Sequence, residues 1–271
     1  MKIARLRKVA SKSGIFDLHI VHTGQHFDEK MAQVFLKQFE IRPDTTLNVD
    51  GGSAASQIGS MILALSKHFE TIRPKLLVAV GDVNSALAAA VSANKLGIKL
   101  AHLESGLRSH DRTMPEEINR ILVDELSDYC FVTEPSGEKN LLRMGKTPSS
   151  IYFVGNTMID TLVELGDVID RSTTTNGIQL PTEYGVVTAH RPALVDTQPG
   201  LEKLCEILTL TSRYYAICFP VHPRTQNNLQ KFELLRVLEE NENVILTPPL
   251  DYLAFQKVVK SAKFILTDSG G

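Results

Sequence analysis

Short apolar runs alternate along this chain with longer stretches in which apolar residues recur every three or four positions. The strand-like runs are Leu18–His22, Leu76–Val80, Lys99–Leu103, Tyr129–Val132, Ile151–Val154, Gly185–Thr188, Ala216–Phe219, Val244–Leu246 and Phe264–Leu266. Helical periodicity covers Phe27–Phe39, Ala54–Phe69, Ser85–Leu96, Glu116–Ser127, Thr157–Asp170, Leu201–Thr211 and Tyr252–Ser261. Buried strands of this length separated by helices predict βαβ units with largely parallel sheets covered on both faces. Met1 to Ser13 reads as a basic amphipathic helix, with Ile3, Leu6 and Val9 at helical spacing and no strand ahead of it. The stretch Arg171–Pro181, which contains Ser-Thr-Thr-Thr-Asn-Gly, breaks both periodicities and marks a domain boundary. The pattern therefore predicts an α/β protein of two Rossmann-like domains, 1–170 and 180–271, with a central cleft.

Composition narrows the class. The 271 residues suit about two domains. Hydrophobic residues at 43% and charged residues at 22% are ordinary for a packed protein and exclude general disorder. A net charge of −2 argues against a protein held mainly by nucleic-acid phosphates. No apolar run reaches the roughly 18 residues of a membrane span, and no secretory h-region follows Met1. Cys130, Cys205 and Cys218 form no C-x-x-C pair, which suits a reducing compartment. The expectation is a cytoplasmic protein with neither a nucleic-acid nor a membrane partner.

In doubly wound sheets ligands bind beyond the carboxyl ends of the strands. Polar groups recur there: Thr23-Gly-Gln-His26, Gly81-Asp-Val-Asn-Ser85, Glu104-Ser-Gly-Leu-Arg-Ser109, Gly155-Asn-Thr157, Ala189-His-Arg191, Pro220-Val-His-Pro223 and Asp268-Ser-Gly-Gly271. Three carboxylates stand out: Asp82, Glu104, and one of the pair Glu116/Glu117. Glu104 ends an apolar strand, where desolvation raises a carboxyl pKa and suits acid/base work. Glu116 and Glu117 follow Pro115 at a helix start, where the dipole alone also favours acids. Asp82 could equally be an N-cap. His190 and Arg191 follow a buried strand, placed to neutralise and protonate a departing diphosphate, although a histidine capping the strand end reads the same way. Ser269-Gly270-Gly271 would offer backbone N–H groups to phosphate.

Other motifs fail. Gly145-Lys-Thr147 ends like a P-loop, but Asn140 stands where its first glycine belongs. No G-x-G-x-x-G, G-x-S-x-G or H-E-x-x-H occurs. His102-x-Glu104 lacks the P-C-x-x-C partner of a zinc deaminase, and His19, His22 and His26 straddle a strand and a loop, a poor zinc set. No metal site is predicted.

Taken in order, the strand-end motifs together with His102-Leu-Glu-Ser-Gly-Leu-Arg108, Met114-Pro-Glu-Glu-Ile-Asn-Arg120, Thr188-Ala-His-Arg191 and Val221-His-Pro-Arg224 resemble those of the bacterial UDP-N-acetylglucosamine 2-epimerases, over essentially the whole chain. The resemblance implies a GT-B-like fold and interconversion of UDP-GlcNAc and UDP-ManNAc without metal or nicotinamide cofactor, through elimination of UDP to a 2-acetamidoglucal and its re-addition. Carried over by motif, Asp82, Glu104 and Glu116 are acid/base and sugar-positioning groups, and His190 assists UDP departure. Lys2, Arg108, Phe255, Ser269, Gly270 and Gly271 match substrate-binding positions. Gln25, His26, Arg191 and His222 match a second, regulatory UDP-GlcNAc site. A homodimer acting in polysaccharide biosynthesis is also implied.

Family members begin with a central strand ending in Gly-Thr-Arg-Pro-Glu and continue beyond Asp-Ser-Gly-Gly. The resemblance thus implies a chain truncated at both ends, missing the first strand and the C-terminal part, and inactive in that form. Competing readings are a hydrolysing or 2,3-diacetamido-sugar 2-epimerase, a GT-B glycosyltransferase, and an inactive UDP-sugar-binding fragment.

Overall fold

A computed structural model describes residues 1–24, 36–49, 52–172 and 177–269. The chain divides into two compact units, Met1–Glu164 and Leu165–Gly271.

The first unit opens with α1 (Ala4–Ser13), followed by the short strands β1 (Val21–His22) and β2 (Thr45–Thr46), which pair in parallel. The strand expected over Leu18–His22 is thus reduced to two residues. Its partner, two polar threonines, carries no hydrophobic signal and went unforeseen. Asp44 ties these pieces together, taking the backbone N–H of Ile20 at 2.7 Å and both arms of the Arg7 guanidinium from α1. The helix expected over Phe27–Phe39 lies mostly outside the described residues.

The main sheet of this unit follows: α2 (Ala54–Ile72), β3 (Leu76–Val80), α3 (Asn84–Lys95), β4 (Lys99–Leu103), α4 (Pro115–Leu126), β5 (Tyr129–Val132), α5 (Pro135–Arg143), β6 (Ile151–Phe153) and α6 (Thr157–Glu164). Its four strands run parallel in the order β3-β4-β5-β6. Helix α3 buries Ala86, Ala88, Ala90 and Ala93, and these small side chains let α2 and α4 pack closely on either flank. Met61, Leu65 and Phe69 of α2 close over Ala88, while Val123 of α4 joins Ala79 and Leu100.

The second unit contains α7 (Gly166–Arg171), β7 (Tyr184–Thr188), α8 (Pro192–Val195), α9 (Gln198–Thr211), β8 (Ala216–Pro220), α10 (Pro223–Lys231), α11 (Leu235–Glu239), β9 (Val244–Thr247), α12 (Tyr252–Ser261) and β10 (Phe264–Thr267). Its sheet is parallel in the order β10-β7-β8-β9, around a core of Leu201, Leu204, Leu208, Ile217, Phe219, Leu229 and Leu238. The single helix expected over Thr157–Asp170 breaks at Leu165, just before Gly166, and α7 packs with the second unit. Lys257 donates to the Asp170 carbonyl at 2.8 Å and Lys260 meets its carboxylate at 2.5 Å, anchoring α7 to α12. The division between compact units therefore falls ahead of Arg171–Pro181, because side-chain packing rather than linker composition decides where α7 belongs.

Among the described residues no helix is long and apolar enough to cross a membrane.

Candidate active site

Three segments of the first unit meet at the carboxyl edge of its sheet. The turn after β3 carries Gly81 and Asp82, the turn after β4 carries Glu104, and α4 starts with Glu116 and Glu117. The β3 and β4 turns are stitched by the Gly81 N–H donating to the Leu103 carbonyl at 3.0 Å.

Glu104 adopts φ +74°, a left-handed conformation unusual for a residue with a side chain. Its N–H and that of Ser105 both donate to the Phe131 carbonyl at 3.1 Å. The carboxylate is 11% exposed and lies 2.5 Å from Lys2 Nζ. The desolvation foreseen at this strand end is thus met by a cation. The turn continues into Gly106 at φ +81°, where a Cβ would lie 2.3 Å from the Gly137 carbonyl oxygen. Gly106→Ala combines backbone strain with a main-chain clash, so a loss of about 2–4 kcal/mol is expected in urea unfolding. A change within experimental error would show that α5 moves aside at no cost.

Asp82 is not the N-cap of α3; that position is Val83, with no side-chain cap. Its carboxylate instead takes Nε and Nη2 of Arg120 at 3.0 and 2.5 Å. Asn119, also on α4, donates to the Asp82 carbonyl at 2.9 Å and to the Asn84 side chain at 3.2 Å. Helix α4 thereby fixes the β3–α3 turn.

The two acids at the start of α4 part company. Glu117 is buried, and its oxygens accept from the Ser109 N–H, the Ser109 hydroxyl, the His110 N–H and Arg120 Nη1 at 2.8 to 3.2 Å. Burial alone would raise its pKa, but these hydrogen bonds, that of the Ser109 N–H foremost, hold it below the ordinary value. Glu117 organises the loop. Glu116 is half-buried and, among the described residues, its carboxylate makes no hydrogen bond or ion pair, leaving it available for a ligand. Of the pair, Glu116 is the one free to do chemistry.

Arg108 departs from its expected part in substrate binding. Its guanidinium is 6% exposed and donates to Asp124 at 2.6 Å and to the Leu107 carbonyl at 2.6 Å. It faces inward, within the packing beneath the Glu104 turn.

In the second unit, His190 and Arg191 lie after β7, and Asp268 lies after β10. One Asp268 oxygen accepts the backbone N–H groups of His190 and Arg191 at 2.8 and 2.7 Å; the other lies 3.3 Å from His190 Nδ1. Asp268 thus fixes the backbone at His190, and its second oxygen, buried without a hydrogen-bond partner among the described residues, faces the half-exposed ring. The side chain of Arg191 is exposed. His222 caps α10, its Nδ1 accepting the Arg224 N–H at 3.2 Å, and its ring lies 6.4 Å from that of His190. Phe255 is half-buried against Tyr184, Val186, Cys218 and Val258, so much of its ring belongs to the core. The Ser269 N–H donates to Thr267 Oγ1 at 3.0 Å. Gln25, His26, Gly270 and Gly271 lie outside the described residues.

Sequence reasoning gave no role to Asn119, Arg120, Asp124 or Asp268. A signal for two of them was present: Arg120 and Asp124 follow Glu117 at i+3 and i+7, so polar groups line one face of α4, which is a buried face at Glu117 and Asp124. Asp268 had no such signal, because its partners are backbone N–H groups brought near only by strand pairing.

Residues 8–271 match the family model of the UDP-N-acetylglucosamine 2-epimerases. The UDP-N-acetylglucosamine 2-epimerase of Methanocaldococcus jannaschii is 36% identical over 278 residues, covering 100% of this chain and 76% of that protein. A crystal structure of the M. jannaschii enzyme in complex with UDP-GlcNAc and UDP superposes with a TM-score of 0.88 at 36% identity, covering 99% of this chain and 75% of that one. A UDP-2,3-diacetamido-2,3-dideoxy-D-glucuronate 2-epimerase of Pseudomonas aeruginosa is 33% identical, covering 93% of this chain and 70% of that protein. The two-unit parallel α/β fold is that of the GT-B-like epimerase structures. With Glu-Ser-Gly-Leu-Arg forming the turn that carries Glu104 and Pro-Glu-Glu-Ile-Asn-Arg opening α4, the chain belongs to the UDP-N-acetylglucosamine 2-epimerase family.

Proposed function

We propose that this protein is an isomerase that interconverts UDP-GlcNAc and UDP-ManNAc. The observation that carries the reading is the set Asp82, Glu104 and Glu116 on three tied segments, with Glu117 removed from contention by its own hydrogen bonds. A carboxylate takes the C2 proton as the C1–O bond breaks, its electron pair leaving on the UDP diphosphate and the C2–H pair forming the C1=C2 bond of the 2-acetamidoglucal. In the return, a diphosphate oxygen attacks C1 and a carboxylic acid on the opposite face protonates C2, so that the configuration inverts. Acids serving both faces are needed, which a set of three carboxylates can supply.

His190 serves the departing diphosphate, with Asp268 fixing its backbone and Arg191 beside it. Lys2, Phe255, Ser269, Gly270 and Gly271 are assigned to substrate binding by family resemblance. Gln25, His26, Arg191 and His222 are assigned in the same way to a regulatory UDP-GlcNAc site. A cytoplasmic homodimer belongs to the same reading.

Full-length protein incubated with UDP-GlcNAc in deuterated water is expected to incorporate deuterium at C2 and to form UDP-ManNAc, both read by proton NMR. Neither exchange nor product would end the assignment. Release of free ManNAc would move it to the hydrolysing branch. Turnover of a 2,3-diacetamido sugar in preference to UDP-GlcNAc would favour the second reading, which the P. aeruginosa relative supports.

A further inference from the structure

His102 lies beneath the three candidate carboxylates, and the chemistry above gives it no part. We propose that His102 is held as an imidazolium and acts as a positioning residue, a charged crossbrace that keeps the Asp82 turn, the Glu104 turn and α4 in one geometry. This role rests on the reading of Asp82, Glu104 and Glu116 as the reacting groups.

The geometry leaves the ring little choice. His102 is fully buried at the end of β4. Its Nε2 lies 2.9 Å from the Gly81 carbonyl oxygen, which can only accept, so Nε2 carries a proton. Its Nδ1 lies 2.6 Å from Asp124 Oδ1. Asp124 is itself buried and already receives the Ser105 hydroxyl at 2.5 Å, the Gly106 N–H at 3.0 Å and Arg108 at 2.6 Å. A carboxylate surrounded by donors in this way is ionised and accepts only, so Nδ1 donates as well. A neutral ring would set a lone pair against one of two buried acceptors, at the cost of an unmade hydrogen bond.

The crossbrace reaches every segment of the site. Gly81 directly precedes Asp82. Glu104 lies two residues beyond the ring on its own strand, with its carboxylate over Gly81: a Cβ built there would be 3.5 Å from Glu104 Oε2. Asp124 belongs to α4, the helix that begins beside Glu116. The charged groups on the joined segments are Asp82 after β3, Lys99 on β4, Glu104 and Arg108 after it, and Glu116, Glu117, Arg120, Asp124 and Glu125 on α4, with Lys2 against Glu104 and the titratable Cys130 beside His102 on β5. Against the single negative charge of Asp124, His102 and Arg108 leave one positive charge in excess beneath the acidic edge.

The decisive measurement is nitrogen NMR of the protein labelled at its eight histidines, with His102→Gln used to assign the signal. Both ring nitrogens of His102 are expected to be protonated in the folded protein near neutral pH; one unprotonated nitrogen there overturns the proposal. Where His102→Gln does not fold, single substitutions of the seven other histidines assign the signal by elimination, and the spectrum of the unsubstituted protein still decides the matter. It also needs no turnover, which separates its failure from failure of the epimerase reading. Kinetically, His102→Gln can still donate one bond to Gly81 but has lost the charge. Its kcat should fall about 10- to 100-fold with KM within about twofold, since small displacements of reacting groups are costly. Unchanged kcat, or a change confined to KM, would overturn the positioning role.

Discussion

Glu104→Gln is expected to lose both deuterium exchange at C2 and UDP-ManNAc formation, by about 100- to 10,000-fold, the usual range for removing a positioned acid/base group. The substitution keeps the shape of the side chain and the left-handed turn that presents it, so the fold should survive and circular dichroism should be unchanged. What disappears is the charge that faces Lys2 and the ability to exchange a proton. Exchange that persists at more than a tenth of the unsubstituted rate would remove Glu104 from the chemistry and leave Lys2–Glu104 as a structural pair. Glu117→Gln makes a useful contrast. Because Glu117 holds the Ser109–His110 backbone and Arg120, its damage should appear first in unfolding and only through that in turnover.

Asp124→Ala should cost about 3–5 kcal/mol in urea unfolding, the range seen when one partner of a buried charge network is deleted. The substitution strands the Arg108 guanidinium, the His102 ring, the Ser105 hydroxyl and the Gly106 N–H together in a site closed to water. A loss below about 1 kcal/mol would mean that water enters and satisfies these groups. The pH dependence carries a definite sign. Burial works to raise the Asp124 carboxyl pKa, but the hydrogen bond and charge of His102, with Ser105 and Arg108, outweigh it and leave the value below the ordinary 3.8. A carboxyl with a lowered folded pKa stabilises the fold fully above its unfolded value and loses that contribution as pH falls through the folded value. The stability gap between the unsubstituted protein and Asp124→Ala should therefore be full above about pH 5 and narrow below about pH 4.

The sheets were legible because a buried parallel strand writes itself as a continuous apolar run. Leu76–Val80, Lys99–Leu103 and Tyr129–Val132 are strands over the residues that pattern marks. The Thr45–Thr46 strand was illegible for the opposite reason, since its pairing is secured by Asp44 and not by apolar burial. The break at Leu165–Gly166 and the assignment of α7 to the second unit depend on Lys257 and Lys260 meeting Asp170, nearly ninety residues away in sequence. Motif order located Glu104 and Asp82. It could not separate Glu116 from Glu117, because neighbouring residues on a helix differ in where they point and not in kind.

By itself, the sequence determined the family, the parallel α/β architecture and the strand ends where chemistry belongs, since these follow from hydrophobic period and from short motifs whose residues are contiguous. Tertiary structure decided which polar groups at those ends are spent on one another. Glu117 is consumed by a loop and Arg108 by Asp124, Asp82 and Glu104 each face one cation, and among the described residues Glu116 keeps an unpaired carboxylate while His102 is fixed between two acceptors. The reason is that a charge's role depends on its nearest partners and on whether water reaches it. Across the 22 residues from His102 to Asp124 those partners meet only when the chain has folded.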